Sequence, residues 1–225
     1  MTGLPEAGLS VVEHDTGGLP VRLVLLHGFG RYHGHLLDLW SGSDVACPVA
    51  AVQAGFRIGP GAYRWFAYED RPDGSVTIAR DEERRSRTAL LAYLDALRGR
   101  EPHRPLFLLG HSQGGMMALS VALLRPGLLA GCAVLNARIL PETLRLLPAP
   151  PALGGLPVFV GHGRADTVVP VAKGRSARDA LTRMGAGVAY HEYDSDHEVT
   201  AEMVADVADW LRTCKAGPRE SAVRR

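Results

Sequence analysis

Five residues, Gly110-His111-Ser112-Gln113-Gly114, constrain this chain more than any others, because of what stands on either side of them. Before them runs the apolar block "PLFLL", and after them "GMMALSVALL", which suits a helix. A strand that turns at once into a helix forces the residue at the bend into a strained backbone conformation. Bulky neighbours two positions before and after would collide with that turn, and glycine at 110 and 114 removes both collisions. The bend also projects the Ser112 hydroxyl at the N-terminus of the following helix, where free N–H groups and the helix dipole favour developing negative charge. A serine is equally at home as a helix N-cap; the strand–turn–helix context is what favours a nucleophile over a cap.

Elsewhere, short apolar runs rich in β-branched residues alternate with helical patterns. This is the mark of a mostly parallel sheet with helices on both faces, an α/β fold. Strands are expected over 21–28, 47–54, 105–110, 128–137, 156–163 and 187–194, and helices over 81–98, 112–125, 171–185 and 198–214. Leu90, Leu91, Leu94 and Leu97 share one side of the first helix, and Val199, Met203, Val207 and Trp210 recur at helical spacing in the last. Two segments break the alternation, 55–77 and 138–155, and long connections of this kind often carry binding. The second is rich in Leu and Pro, as a short helical flap over an apolar groove would be. No repeat or linker divides the chain, so one domain is expected over 1–214, with a polar, disordered tail over 215–225.

A net charge of +1 makes too weak a field to suggest a nucleic-acid partner. No apolar run approaches the roughly 20 residues that span a bilayer, so stable membrane insertion is not expected. The first residues lack the basic start and apolar block of a signal peptide. Cys47, Cys132 and Cys214 are odd in number and have no metal-type spacing, which argues against a disulfide framework and for a reducing, cytoplasmic setting.

A serine hydroxyl is a poor nucleophile until a base takes its proton. His197 is the best placed histidine, between the last expected strand and the last helix. His191 lies inside that strand, and His111 adjoins Ser112 in a turn that points it elsewhere. His162 and the "HGH" at 33–35 invite a zinc reading, but no partner ligands stand at useful spacing, and no metal is expected. An imidazole also needs an acceptor to fix its tautomer. Asp166, after a strand end and before a helix, is favoured over Asp194 and Asp196, the latter too close in sequence to reach the ring well. The chain order is then Ser112, Asp166, His197, as expected of a nucleophile elbow on an α/β sheet. For the oxyanion, the backbone N–H of Gln113 is one donor. Phe29 in "HGFG" is the chosen second, with Gly28 and Gly30 as alternatives.

The segments "LLHGFG", "GAYRWF", "LLGHSQGG", "VFVGHGRADTVVP" and "DSDHEV" together resemble the α/β-hydrolase fold. Within that fold they are similar to the carboxylesterase/lysophospholipase group that includes acyl-protein thioesterases. The resemblance implies a small or absent lid and cleavage of carboxylic esters, thioesters or lysophospholipids through an acyl-enzyme, without a cofactor. A small-molecule ester is the implied partner, and a homodimer stays open. It also implies that residues 64–66 line the cleft. Trp65, Phe66, Leu140, Leu144 and Leu147 are candidates for an apolar acyl site, with ordinary core packing as the alternative for all five. The chain departs from the group in "CPVAAVQAGFRIGPG" and in "DSDH", where a glycine commonly precedes the histidine. It also carries Ser112 where the related dienelactone hydrolases carry cysteine. Two other functions fit the same residues: cofactor-free perhydrolysis or haloperoxidation, and ligand binding without turnover.

Overall fold

The computed structural model describes residues 8–70, 76–149 and 152–215. The first part of the chain forms β1 (Ser10–His14), β2 (Arg22–Leu26), α1 (His33–Ser41) and β3 (Val49–Gln53). Four short strands follow, β4 (Phe56–Gly59), β5 (Ala62–Arg64), β6 (Tyr68–Asp70) and β7 (Val76–Ile78), then helix α2 (Arg80–Arg100). The second half is β8 (Leu106–His111), α3 (Gln113–Leu124), β9 (Gly131–Leu135), α4 (Pro141–Leu144) and β10 (Pro157–Gly163). It ends with α5 (Val171–Arg183), β11 (Gly187–Tyr193) and α6 (Ala201–Lys215).

Seven strands make the main sheet in the order β1-β3-β2-β8-β9-β10-β11. All its neighbours run parallel except β1, which pairs antiparallel with β3 at the edge. Strands covered on both faces read as continuous apolar runs, and every residue of β2 and β9 is buried. Side chains alternate between two layers. Leu23 and Leu25 join Leu36 and Trp40 of α1 and Met203 and Val207 of α6, whereas Val24 and Leu26 join Leu90 of α2, Met116 of α3 and Leu181 of α5. Helix α3 is buried on all sides from Gln113 to Leu123 and forms the centre of its layer.

Several expectations shift in detail. The strand expected from 128 begins at Gly131, because Pro126–Leu128 forms a 3-10 turn first. His33 and His35 stand in the first turn of α1. In and just past the irregular stretch 55–77, β4 pairs antiparallel with β5 and β6 with β7. In 138–155 the only helix among the described residues is α4, four residues long. Thr143 of α4 is buried, and its hydroxyl lies 2.6 Å from that of Ser120 on α3, so the segment is fastened down onto the central helix. Most of the tail expected to be disordered, residues 216–225, lies outside the described residues. Among the described residues no helix is long and apolar enough to cross a membrane.

Candidate active site

Ser112 sits between the end of β8 and the start of α3 with φ 52 and ψ −118, a conformation that non-glycine residues rarely adopt. The flanking glycines permit it. A Cβ on Gly110 would press into the Gly114 carbonyl, and one on Gly114 into the carbonyls of Leu26 and His27 on the neighbouring strand. Helix α3 can therefore lie against β2 only because position 114 has no side chain. Further grip comes from the Ser112 N–H, which donates to Leu135 O of β9 at 2.9 Å.

The loops after β10 and β11 bring two side chains to this serine. His197 Nε2 is 2.9 Å from Ser112 Oγ, and His197 Nδ1 is 2.8 Å from Asp166 Oδ2. Asp166 is sealed, its side chain 0% exposed, while that of His197 keeps 19%. The other carboxylate oxygen, Oδ1, accepts the backbone N–H of Val168 at 2.9 Å and of Val169 at 2.7 Å. Neither alternative acid takes this place. The Asp196 carboxylate instead accepts from Thr167, from its N–H at 2.8 Å and its hydroxyl at 3.0 Å. His162, read above as an improbable metal ligand, is fully buried, with its Nε2–H donating to Val169 O at 2.7 Å and its ring edge 3.3 Å from Asp166 Oδ2. Among the described residues no three His, Cys, Asp or Glu side chains are grouped to hold a metal ion.

The loop after β2 passes on the other side of Ser112. A Cβ on Gly28 would come within 3.3 Å of Ser112 Cβ, so the loop runs close against the nucleophile. The loop is held from three directions. His27 donates Nδ1–H to Gly28 O at 2.7 Å and accepts Ala54 N–H on Nε2 at 3.0 Å, and Gly30 N–H donates to Tyr63 O at 2.8 Å. Burial pushes the His27 pKa down to about 4, which keeps the ring neutral and able to do both. Among the described residues no hydrogen bond from Phe29 N–H is found, and Gln113, as the first residue of α3, has no intrahelical acceptor for its own. Neither amide has an acceptor among the described residues.

Of the five candidate acyl-site residues, Trp65, Phe66 and Leu140 share one buried apolar cluster with Leu147 packed against it, and Leu144 is not part of it. Trp65, Phe66 and Leu140 are each 0% exposed and pack in the core. Trp65 is pinned by its indole N–H to His27 O at 2.8 Å and by its backbone N–H to Gln113 Oε1 at 3.1 Å, while Gln113 Nε2 donates to Phe66 O at 2.8 Å. Trp65 and Phe66 therefore pack behind the loop after β2 and the elbow, fully buried. Leu147 packs half-buried against the core, and Leu144 is 40% exposed. Two aromatic rings that face solvent stand nearby: Phe29, 46% exposed, and Tyr68, 40% exposed, with ring centres 6.2 Å apart. Sequence reasoning missed Tyr68, since only the β6-β7 pairing places it beside Phe29. The side-chain role of Gln113 was missed too, and no sequence signal pointed to it.

A nucleophile elbow at the carboxyl ends of a parallel sheet, with an imidazole and a carboxylate in line beside it, defines an α/β-hydrolase architecture. Residues 10–215 match the model of the phospholipase/carboxylesterase family, and the chain belongs to that family. It is 32% identical over 161 residues to acyl-protein thioesterase 1 of Neurospora crassa, covering 68% of this chain and 64% of that protein. It is 31% identical over 134 residues to a probable inactive carboxylesterase of Oryza sativa subsp. japonica, covering 58% of this chain and 54% of that one. The chain thus spans less than two thirds of these curated relatives. Among solved structures, the Bacillus cereus carboxylesterase superposes with a TM-score of 0.76 at 21% identity, covering 92% of this chain and 94% of the other. Esterase PE8 superposes with a TM-score of 0.75 at 27% identity, covering 93% and 99%.

Proposed function

We propose that this protein is a serine hydrolase of the carboxylesterase/thioesterase type, with Ser112 as nucleophile, His197 as general base and acid, and Asp166 as the acceptor that orients the imidazole. The observation that carries the proposal is the continuous chain from Ser112 Oγ to His197 Nε2 at 2.9 Å and from His197 Nδ1 to Asp166 Oδ2 at 2.8 Å.

In this mechanism His197 takes the Ser112 proton as the oxygen attacks the acyl carbon. The N–H groups of Phe29 and Gln113 receive the oxyanion, and removing one such donor costs on the order of 10²–10³ in rate in a well-studied protease. The imidazolium, stabilised by Asp166, then hands its proton to the leaving alcohol or thiol, and the acyl group stays on Ser112. Water, deprotonated in turn by His197, attacks the acyl-enzyme; as the acyl–Oγ bond breaks, the imidazolium returns that proton to Ser112 Oγ and the acid is released. The chemistry needs no cofactor. Phe29 and Tyr68, exposed side by side, are offered as apolar surface for the ester, while the short, fastened α4 suits an open site for small esters without a large lid.

The name of the rice relative, a probable inactive carboxylesterase, keeps a ligand-binding role without turnover as the competing reading. One experiment separates them. A fluorophosphonate probe labels the wild type and not Ser112→Ala, and the wild type alone turns over p-nitrophenyl acetate. Equal labelling of both proteins, or no turnover by the wild type, defeats the hydrolase reading. Longer esters and an acyl thioester, run in parallel, grade the acyl preference.

A further inference from the structure

His197 belongs to no helix or strand; it lies in the connection 194–200 between β11 and α6. A catalytic base on such a segment needs its backbone fixed from outside. On one flank the acid loop does this: Ala165 N–H donates to Ser195 O at 3.0 Å, and Thr167 N–H to Asp196 Oδ1 at 2.8 Å. On the other flank stand two buried side chains that the mechanism above does not use. His111, the last residue of β8, places Nε2 3.0 Å from His197 O. Asn136, just after β9, donates Nδ2–H to Glu198 O at 2.8 Å and accepts Gly163 N–H on Oδ1 at 2.9 Å.

We propose that His111 and Asn136 are positioning residues, a two-point clasp that fixes the consecutive carbonyls of residues 197 and 198 and thereby aims the His197 ring at Ser112. The proposal rests on the hydrolase reading above.

Fixing the 197 and 198 carbonyls fixes the peptide plane that follows His197 and with it the direction in which its side chain leaves the backbone. The two clasp residues come from the ends of adjacent strands, and one of them is the immediate neighbour of the nucleophile. Base and nucleophile are thus tied to the same piece of sheet. Asn136 adds the acid side, because the Gly163 N–H that it accepts opens the loop leading to Asp166.

Each clasp residue also carries a local cost that a simpler residue would avoid. The ring of His111 is enclosed, and its Nδ1 has no hydrogen-bond partner among the described residues. An unpaired buried acceptor is destabilising, and a phenylalanine would not have one. Asn136 is fully buried at φ 50, a backbone conformation that glycine adopts more easily. What either replacement would lose is the grip on the histidine loop. Burial and the neighbouring His197, His35 and Arg31 push the His111 pKa down to about 3, so its ring is neutral at working pH and Nε2 carries the donated proton.

The test is steady-state hydrolysis of p-nitrophenyl acetate by His111→Phe, His111→Gln and Asn136→Gly, with Ser112→Ala as the control for the hydrolase reading itself. A displacement of about 1 Å in a catalytic group costs on the order of 10²-fold. His111→Phe and Asn136→Gly are therefore expected to lower kcat by about 10- to 100-fold with KM within about twofold. His111→Gln, which keeps a donor near the Nε2 position, is expected to recover most of the loss. Folded variants whose kcat stays within about twofold of wild type overturn the clasp, as does a loss in His111→Gln equal to that in His111→Phe. If His111→Phe does not fold, Asn136→Gly, which relaxes its own backbone, decides alone. Turnover by the wild type with none by Ser112→Ala leaves the hydrolase reading standing whichever way the clasp falls.

Discussion

Asp166 and His197 meet at 2.8 Å across a boundary between the sealed interior and the cleft, the acid side chain wholly enclosed and the imidazole partly open. Because two backbone N–H groups already occupy Asp166 Oδ1, only Oδ2 is left to face the ring. An asparagine here must turn its carbonyl oxygen toward Val168 and Val169 N–H, which leaves its NH₂ against His197 Nδ1. The imidazole is then driven to the tautomer that carries hydrogen on Nε2 and cannot accept the Ser112 proton. Asp166→Asn is expected to cut kcat on the order of 10³–10⁴-fold with little change in KM, the same change in a well-studied protease costing about 10⁴. Retention of more than a tenth of wild-type kcat would count against Asp166 as the orienting acid.

Gly114 and Gly99 make opposite forecasts for the same substitution. An added Cβ at 114 would enter the Leu26 carbonyl and push α3 off β2, whereas at 99, in the last turn of α2, it would meet nothing within 4 Å. Gly114→Ala is expected to destabilise by about 1–3 kcal/mol or more, the range for overpacked cores. Gly99→Ala is expected to stabilise by about 0.5 kcal/mol, through helix propensity. Thermal melts of the two variants, with esterase assays alongside, check both signs. Activity should fall only in the first.

Gln113 holds the fold through its side chain, while the oxyanion role proposed for it belongs to its backbone N–H. Replacing it with leucine keeps the amide N–H but leaves Trp65 N–H and Phe66 O buried without their partners. Unpaired buried groups cost about 1–3 kcal/mol each, so Gln113→Leu, which leaves two, should lose roughly 2–6 kcal/mol in urea unfolding. An unchanged midpoint would mean that the Trp65–Phe66 segment is held by packing alone.

His27 and His111 make folding sensitive to mild acid. Their pKa values lie at about 4 and about 3, lowered chiefly by burial, against an ordinary 6.5. Between pH 6.5 and those values the unfolded chain binds protons that the folded chain does not, so stability declines as pH falls through this window and is fully present above it. Each ring adds up to about 1.4 kcal/mol per pH unit to the slope. Urea midpoints at pH 7.5, 6 and 5 should drop accordingly. The slope of His27→Gln should be shallower than that of the wild type, and equal slopes would refute this origin.

Local rules made the elbow legible before any fold was known. The strain at Ser112 and the need for glycine at 110 and 114 arise within five residues, where steric clash depends only on the turn from strand to helix. The parallel sheet was legible for a similar reason, since strands buried on both faces must be apolar throughout. The segments that stayed obscure are those whose side chains carry no such periodic demand. β1 is a partly exposed edge strand paired with β3, and the strands of the two small pairs in and just past 55–77 depend on pairing with each other.

Tertiary structure alone decided which groups meet. Asp196 is adjacent to His197 in the chain yet bonds Thr167, whereas Asp166, thirty-one positions away, faces the ring. Trp65 and Phe66 belong to the core because Gln113 and His27 O hold them there, a fact of packing that no spacing reveals. Within the sequence itself lay the strained serine, the order of serine, acid and histidine, and the glycine loop beside them. Burial, ring tautomers and the grip of His111 and Asn136 on the histidine loop come from contacts between residues tens of positions apart, and distance along a chain carries no information about such contacts until the sheet has brought its ends together.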